Sequence, residues 1–162
     1  MHFSRSWVRL LWGSMGAAGC LALVLYFVKP QAAPLLLASL GGSSVFLFAL
    51  TSAPAAQPRA LFGGHLVGAL IGIACFHLFG DALWVYALAQ ALTLSCMLIS
   101  GTIHPPAGAN PIIMINAHAG WSAVLHPVLL GVTILAIGAA VWSRLLPDLP
   151  RYPVKWLDRS PP

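Results

Sequence analysis

The stretch that decides how this chain folds is "GTIHPPAGANPIIMIN", residues 101–116. It places histidine, proline, glycine and asparagine together inside a sequence that is otherwise almost wholly apolar. Of the 162 residues, 59% are hydrophobic and 7% charged, and the mean hydropathy is +0.88. A soluble domain carries roughly a quarter charged residues. The composition is that of an all-α integral membrane protein, in contact with lipid along its length, and it leaves no room for a separate aqueous catalytic domain.

A helix needs about 20 mainly apolar residues to cross the hydrocarbon core. Working outward from the opening stretch, five such runs stand out, at 7–28, 32–50, 60–79, 82–100 and 122–146, joined by short polar links. The first has the basic flank of a signal peptide, but its apolar run is long enough to span, so it reads as an uncleaved first crossing. Lys and Arg favour the cytoplasmic ends of spans. Arg5 and Arg9 therefore place the N-terminus inside, Arg59 falls inside, and Lys29 and Asp81 fall outside. Five crossings would leave the basic tail, with Arg144, Arg151, Lys155 and Arg159, on the wrong side. Residues 104–119 are thus expected to form a short sixth crossing. Being too polar and too interrupted to face lipid, it should be buried among the other helices. The expected organisation is a transmembrane domain over 1–146 and a short cytoplasmic tail over 147–162, in a bacterial inner membrane.

Six segments divide into two sets of three, 7–79 and 82–146. "GGSSVFLFA" at 41–49 and "AGANPIIMI" at 107–115 each put small polar residues ahead of an apolar run, and each is followed by a histidine near the start of a long run. Two three-helix units in tandem must lie in opposite orientations, the 3+3 inverted-repeat plan of many secondary transporters, whose substrate sites lie at paired interrupted segments. Here those are Gly41, Gly42, Ser43 and Ser44, and His104, Pro105, Pro106, Ala107, Gly108, Ala109 and Asn110. Both are expected at or near helix starts, where free N–H groups and the positive end of the dipole favour an anion. Buried acids usually mark cation pathways, and this chain has no Glu and only three Asp, all in expected loops or the tail. Composition and pattern together indicate a transporter or channel for a small inorganic anion.

Blander readings compete at each position. His-Pro-Pro can be a structural turn, Ser43 and Ser44 can bond the preceding turn of their own helix, and Gly68, Gly72, Gly131 and Gly138 are expected to serve close helix packing. His65 follows "GG" at the start of a span and is expected either at the interface or in the pathway, where it could relay a proton. His77 and His118 are expected at the membrane interface. Arg59 is expected to anchor topology or attract anions at the inner mouth. A bundle of this size is expected to pair as a homodimer.

Other function classes find less support. The eight Lys and Arg are scattered singly, which argues against nucleic acid. No Ser/His/acid set, carboxylate pair or phosphate loop suggests an enzyme. Metal-ligand spacing is absent, and no cofactor or metal is expected. Two alternatives stay open: a histidine-using membrane cofactor protein, its ligands converging from different helices, and a membrane subunit that transports nothing itself.

"HPPAGA" at 104–109, together with "GGSSVFLF" and "SAPAAQPRALFGGHLVGALIG", resembles the HPP family of integral membrane proteins over nearly the whole hydrophobic region. The resemblance implies a helical membrane domain, commonly described as having four spans, and, from cyanobacterial and chloroplast members, nitrite as the leading substrate. Some members carry regulatory CBS domains after the membrane part; no such domain is expected in the 16 or so residues that follow the last run here.

Overall fold

A computed structural model describes residues 2–28, 35–146 and 149–156, with side chains from Trp7 onward except Leu37. It is all helical among those residues. The helices are α1 (His2–Val28), α2 (Leu36–Phe48), α3 (Pro58–Phe79), α4 (Leu83–Ser100), α5 (Asn110–Asn116) and α6 (Leu130–Trp142). A 3-10 turn, Pro54–Ala56, precedes α3, a longer one, Pro105–Ala109, leads into α5, and a π-type turn, Val124–Leu129, leads into α6.

Four helical stretches among the described residues are long and apolar enough to cross a membrane: Trp7–Val28, Pro58–Phe79, Leu83–Ser100 and Val124–Trp142. Their outward faces carry side chains that water would not tolerate in such numbers, including Leu83 at 90% and Ile99 at 88% exposure. These faces suit lipid. Two expected spans differ from the sequence reading. The run at 32–50 yields only the 13-residue α2, about 20 Å of helix, and residues 29–34 lie outside the described chain. The run at 104–119 is not one helix, because its prolines remove N–H donors and force the preceding residues out of helical geometry. It is built instead from an extended stretch, the 3-10 turn and the seven-residue α5. The last run is also kinked, for the same reason: His126, before Pro127, adopts φ −134°, ψ 114°.

The broken segment nevertheless travels the length of the bundle. At one end Arg59, at the start of α3, donates to the Ser100 carbonyl and covers left-handed Gly101. At the other end His118, just past α5, lies 2.9 Å from Asp81 in the α3–α4 turn. Extended and 3-10 backbone rise about 3.3 and 2.0 Å per residue against 1.5 Å in an α-helix, so few residues cover the distance.

What permits this path is a stripe of glycines on α3. A Cβ on Gly68 would come within 2.8 Å of the Ala107 carbonyl oxygen, and one on Gly72 within 2.6 Å of Pro111 Cα. Gly64 lies as close to His104 and Thr102. At i, i+4 and i+8 the three share one face of the helix, and the segment lies along that face. Gly42 of α2 closes it from the other side, against Pro106. Gly131 and Gly138 of α6 likewise pack on Leu40 and Cys20, so the expectation of packing glycines is met at all four positions.

The remaining contacts are regular. α1 packs on α2 and α6, α4 packs on α5 and α3, α2 packs on α6 as α5 packs on α3, and α2 meets the Pro105–Ala109 turn. Residues 149–156 fold back onto the Arg59 end. Val154 and Lys155 donate to Gln57 Oε1 at 2.9 and 3.1 Å, while Gln57 Nε2 donates to the Thr51 and Ala53 carbonyls at 2.9 and 3.0 Å. That clamp holds the loop carrying the Pro54–Ala56 turn.

Replacing Gly72 with Leu forces side chain against proline backbone and should cost about 1–3 kcal/mol or more. Gly19→Ala, where a Cβ meets nothing within 4 Å, should leave stability unchanged or slightly raised. Denaturation in detergent measures both, and equal stability of the two variants would contradict the packing described.

Candidate functional site

Four of the residues singled out in the sequence meet in the interior: Ser43 from α2, His65 from α3, His104 from the extended stretch, and Asn110 at the start of α5. All are fully buried. Ser43 Oγ lies 2.9 Å from His65 Nε2, 2.8 Å from His104 Nε2 and 3.0 Å from the Ser39 carbonyl oxygen. His104 Nδ1 is 2.6 Å from the Ala55 carbonyl oxygen in the clamped turn. Asn110 Nδ2 donates to the His65 carbonyl at 3.1 Å and lies 3.0 Å from His65 Nδ1. The two imidazoles are 5.3 Å apart between centroids, and Phe46 packs edge-on to His104 at 5.5 Å.

The local backbone explains why these groups converge. Gly64 and Gly68 let His104 and Asn110 approach α3 at backbone distance on either side of His65. Ser39 and Ser43 are one helical turn apart on α2, and Ser39 Oγ donates to the Pro106 carbonyl at 2.9 Å. Pro105, Pro106 and Pro111 bring no N–H to be satisfied at membrane depth, and the Pro106 carbonyl has its donor in Ser39. Ser39, beside the cluster, thus closes a hydrogen bond of an otherwise expensive stretch of backbone.

The other expected residues fall around it. Gly41 faces open space, and Gly42 packs on Pro106. Ser44 Oγ donates to the Gly41 carbonyl at 2.7 Å, the local bonding that competed with a ligand role. Gly41, Gly42, Ser43 and Ser44 do not stand at a helix start: α2 begins at Leu36, so their N–H groups belong to the helix interior. Pro105 is exposed, Pro106, Gly108 and Ala109 are half-buried, and Ala107 is buried against α3. His77 and His118 are exposed at the Asp81 end, His77 stacking on Trp121. His126 is exposed and outside the cluster.

Two features of the cluster were missed in the sequence. Ser39 shares the face of Ser43 at i, i+4, a spacing that could have flagged it. The Ala55 carbonyl is a backbone group with no side-chain signal. A cavity of about 740 Å³ also lies between α1, α2, α6 and the folded-back tail. Arg9, Trp12, Ser14, Ser44, Thr51 and Ser52 contribute to its lining, with no Asp or Glu among the lining residues. Ser44 thus lines the cavity while its neighbour Ser43 lies in the cluster.

Chemically, the cluster offers hydroxyl, amide and imidazole groups with no carboxylate. Asn110 Oδ1 is the buried acceptor in it without a protein partner. Among the described residues, no three His, Cys, Asp or Glu side chains gather as a metal site would require.

A bundle of apolar helices exposing leucine and isoleucine around a buried polar centre defines an integral membrane protein. The chain belongs to the HPP family: the family description "HPP, transmembrane region" matches residues 2–153. It is similar to two transmembrane proteins of Dictyostelium discoideum, at 32% identity over 75% of this chain and 31% over 84%. The matches cover 45% and 46% of those proteins, so the chain spans less than half of either relative. No solved structure matches.

Ser43→Ala leaves both Nε2 atoms buried without the hydroxyl between them. Stability should fall by about 1–3 kcal/mol, measured by denaturation in detergent, and an unchanged midpoint would show that the cluster contributes nothing to the fold.

Proposed function

We propose that this protein carries a small inorganic anion across the membrane, with nitrite the leading substrate, through the Arg9 cavity and the Ser43–His65–His104–Asn110 cluster. One observation carries the reading. A fully buried polar centre with no carboxylate adjoins, through the Ser43–Ser44 pair, a cavity whose charged lining residue is a cation. A buried centre for a metal cation would be expected to offer acids. The helix-start argument adds no support: Ser43 lies inside α2, and seven-residue α5 begins with an Asn110 N–H bonded to the Ala107 carbonyl and a Pro111 that has none. Anion entry then exchanges the Ser43–imidazole hydrogen bonds for bonds to the anion. Nitrite rests on the family resemblance, and the relatives are named only as transmembrane proteins.

The same proposal takes the chain as six alternating crossings, the short α2 and the broken segment completing the four long helices, in a 3+3 inverted repeat with both termini in the cytoplasm. The packing supports this. Exchanging α1 with α4, α2 with α5 and α3 with α6 maps the principal helix contacts onto one another, as a pseudo-two-fold axis in the membrane plane requires. Arg9, Arg59, Arg144 and Lys155 gather at one end of the bundle and Asp81 at the other, consistent with that end facing the cytoplasm.

Liposomes holding only this protein should take up labelled nitrite saturably, beyond the leak of protein-free vesicles. Asn110→Leu and Ser43→Leu should abolish uptake while membrane insertion persists; wild-type-like uptake in both variants would remove the cluster from the pathway. Cysteines placed at the N-terminus and in the tail should label from the same side of the membrane, and labelling from opposite sides would end the six-crossing reading.

A further inference from the structure

We propose that the centre binds a proton together with the anion, and that His104 holds it. The inference rests on the anion reading above and deepens it to proton-linked transport.

The argument is a count of donors and acceptors. A serine hydroxyl has one hydrogen to give and two lone pairs to receive. Ser43 Oγ has three partners: the Ser39 carbonyl at 3.0 Å, which can only accept, and the Nε2 atoms of His65 and His104 at 2.9 and 2.8 Å. All three bonds form at once only if the hydroxyl donates to Ser39 and both imidazoles donate to Ser43.

The two histidines differ in whether they can comply. The Asn110 amide faces the His65 carbonyl, so its NH₂ end is fixed there, and its second hydrogen points to His65 Nδ1. His65 Nδ1 must therefore accept, which puts the hydrogen of a neutral ring on Nε2, donating to Ser43. His104 is the reverse case. Its Nδ1 faces the Ala55 carbonyl and must donate. A neutral His104 then has a bare Nε2, to which Ser43 gives its hydrogen, and the Ser39 contact goes unmade. When a proton adds to the lone pair of His104 Nε2, a single N–H bond forms. In the anion-free centre that N–H donates to Ser43, the hydroxyl hydrogen swings to Ser39, and every contact is made without any heavy atom moving; an entering anion then takes the His104 N–H in place of Ser43. The proton comes from solvent and adds one positive charge to the centre.

That charge has no acidic partner among the described residues. The groups facing His104 are Ser43 and Phe46 of α2, the Ala55 carbonyl of the 54–56 turn, and His65 of α3, which is the titratable one among them. From α5, Asn110 touches His65. Arg59 serves the Ser100 carbonyl, and Asp81 pairs with His118 at the far end. A buried imidazolium without a counter-charge is costly, and an anion in the same centre supplies one. Each ligand then raises the affinity of the other by the same factor.

The test uses the full wild-type chain with ¹⁵N-labelled histidine in nanodiscs, and nitrite as the probe. With one proton linked to each anion, nitrite affinity should rise about tenfold for each unit fall in pH while unliganded His104 is neutral. Nitrite should convert one histidine to imidazolium, identified as His104 by its absence in His104→Gln, while His65 keeps its hydrogen on Nε2. Nitrite binding that is independent of pH, or that leaves His104 neutral, would overturn the proton role and leave anion binding standing. No nitrite binding at any pH would overturn both. The pH slope is read on the wild-type chain, so it decides the matter even if the variant fails to fold.

Discussion

Everything at the centre of this protein depends on the glycine face of α3. A segment with three prolines and two non-helical stretches cannot face lipid, because nothing in hydrocarbon would satisfy its backbone. It persists because Gly64, Gly68 and Gly72 let it lie against α3 at distances that a Cβ would not permit. Prolines remove three of its N–H groups, and Ser39 supplies the donor its Pro106 carbonyl needs. The close approach is therefore also what brings His104 and Asn110 to either side of His65.

The polar cluster follows from that arrangement. Each member comes from a different element: His104 closes the Ala55 carbonyl of the neighbouring turn, Asn110 reaches back to the His65 carbonyl, and Ser43 joins the two imidazoles. His104 ties the segment to the Pro54–Ala56 turn through the Ala55 carbonyl, and the same ring presents its other nitrogen to Ser43. Gln57 binds the turn to the C-terminal residues, so the clamp that holds His104 extends to the surface at the end where the basic residues gather.

Much of the helical plan was legible in the sequence, because long apolar runs have one stable form in a membrane. The limits of α3 and α4 fall within about two residues of the runs at 60–79 and 82–100. The course of residues 104–119 was harder to read: composition signalled a buried interrupted segment, but the mixture of extended, 3-10 and helical backbone is set by its prolines and by where Ala107 and Pro111 meet α3 and Pro106 meets α2. The run at 32–50 read as a full span since hydropathy registers apolarity and not where a helix begins, and it begins at Leu36. That start places Ser43 in mid-helix, so it reaches His65 and His104 through its side chain. Of the site residues named from sequence, Ser43, His65, His104 and Asn110 converge, while Gly42 and Ala107 serve packing. The Ala55 carbonyl and the Arg9 cavity were not legible, since both arise from contacts between segments distant in sequence.

The central claim is that an anion occupies this cluster. Crystals of the protein grown or soaked with bromide, mapped by its anomalous scattering, test it most directly. The account predicts a peak within hydrogen-bonding distance of Ser43 Oγ and His104 Nε2. Bromide confined to the Arg9 cavity or the outer surface, with none between Ser43 and the two histidines, would contradict it.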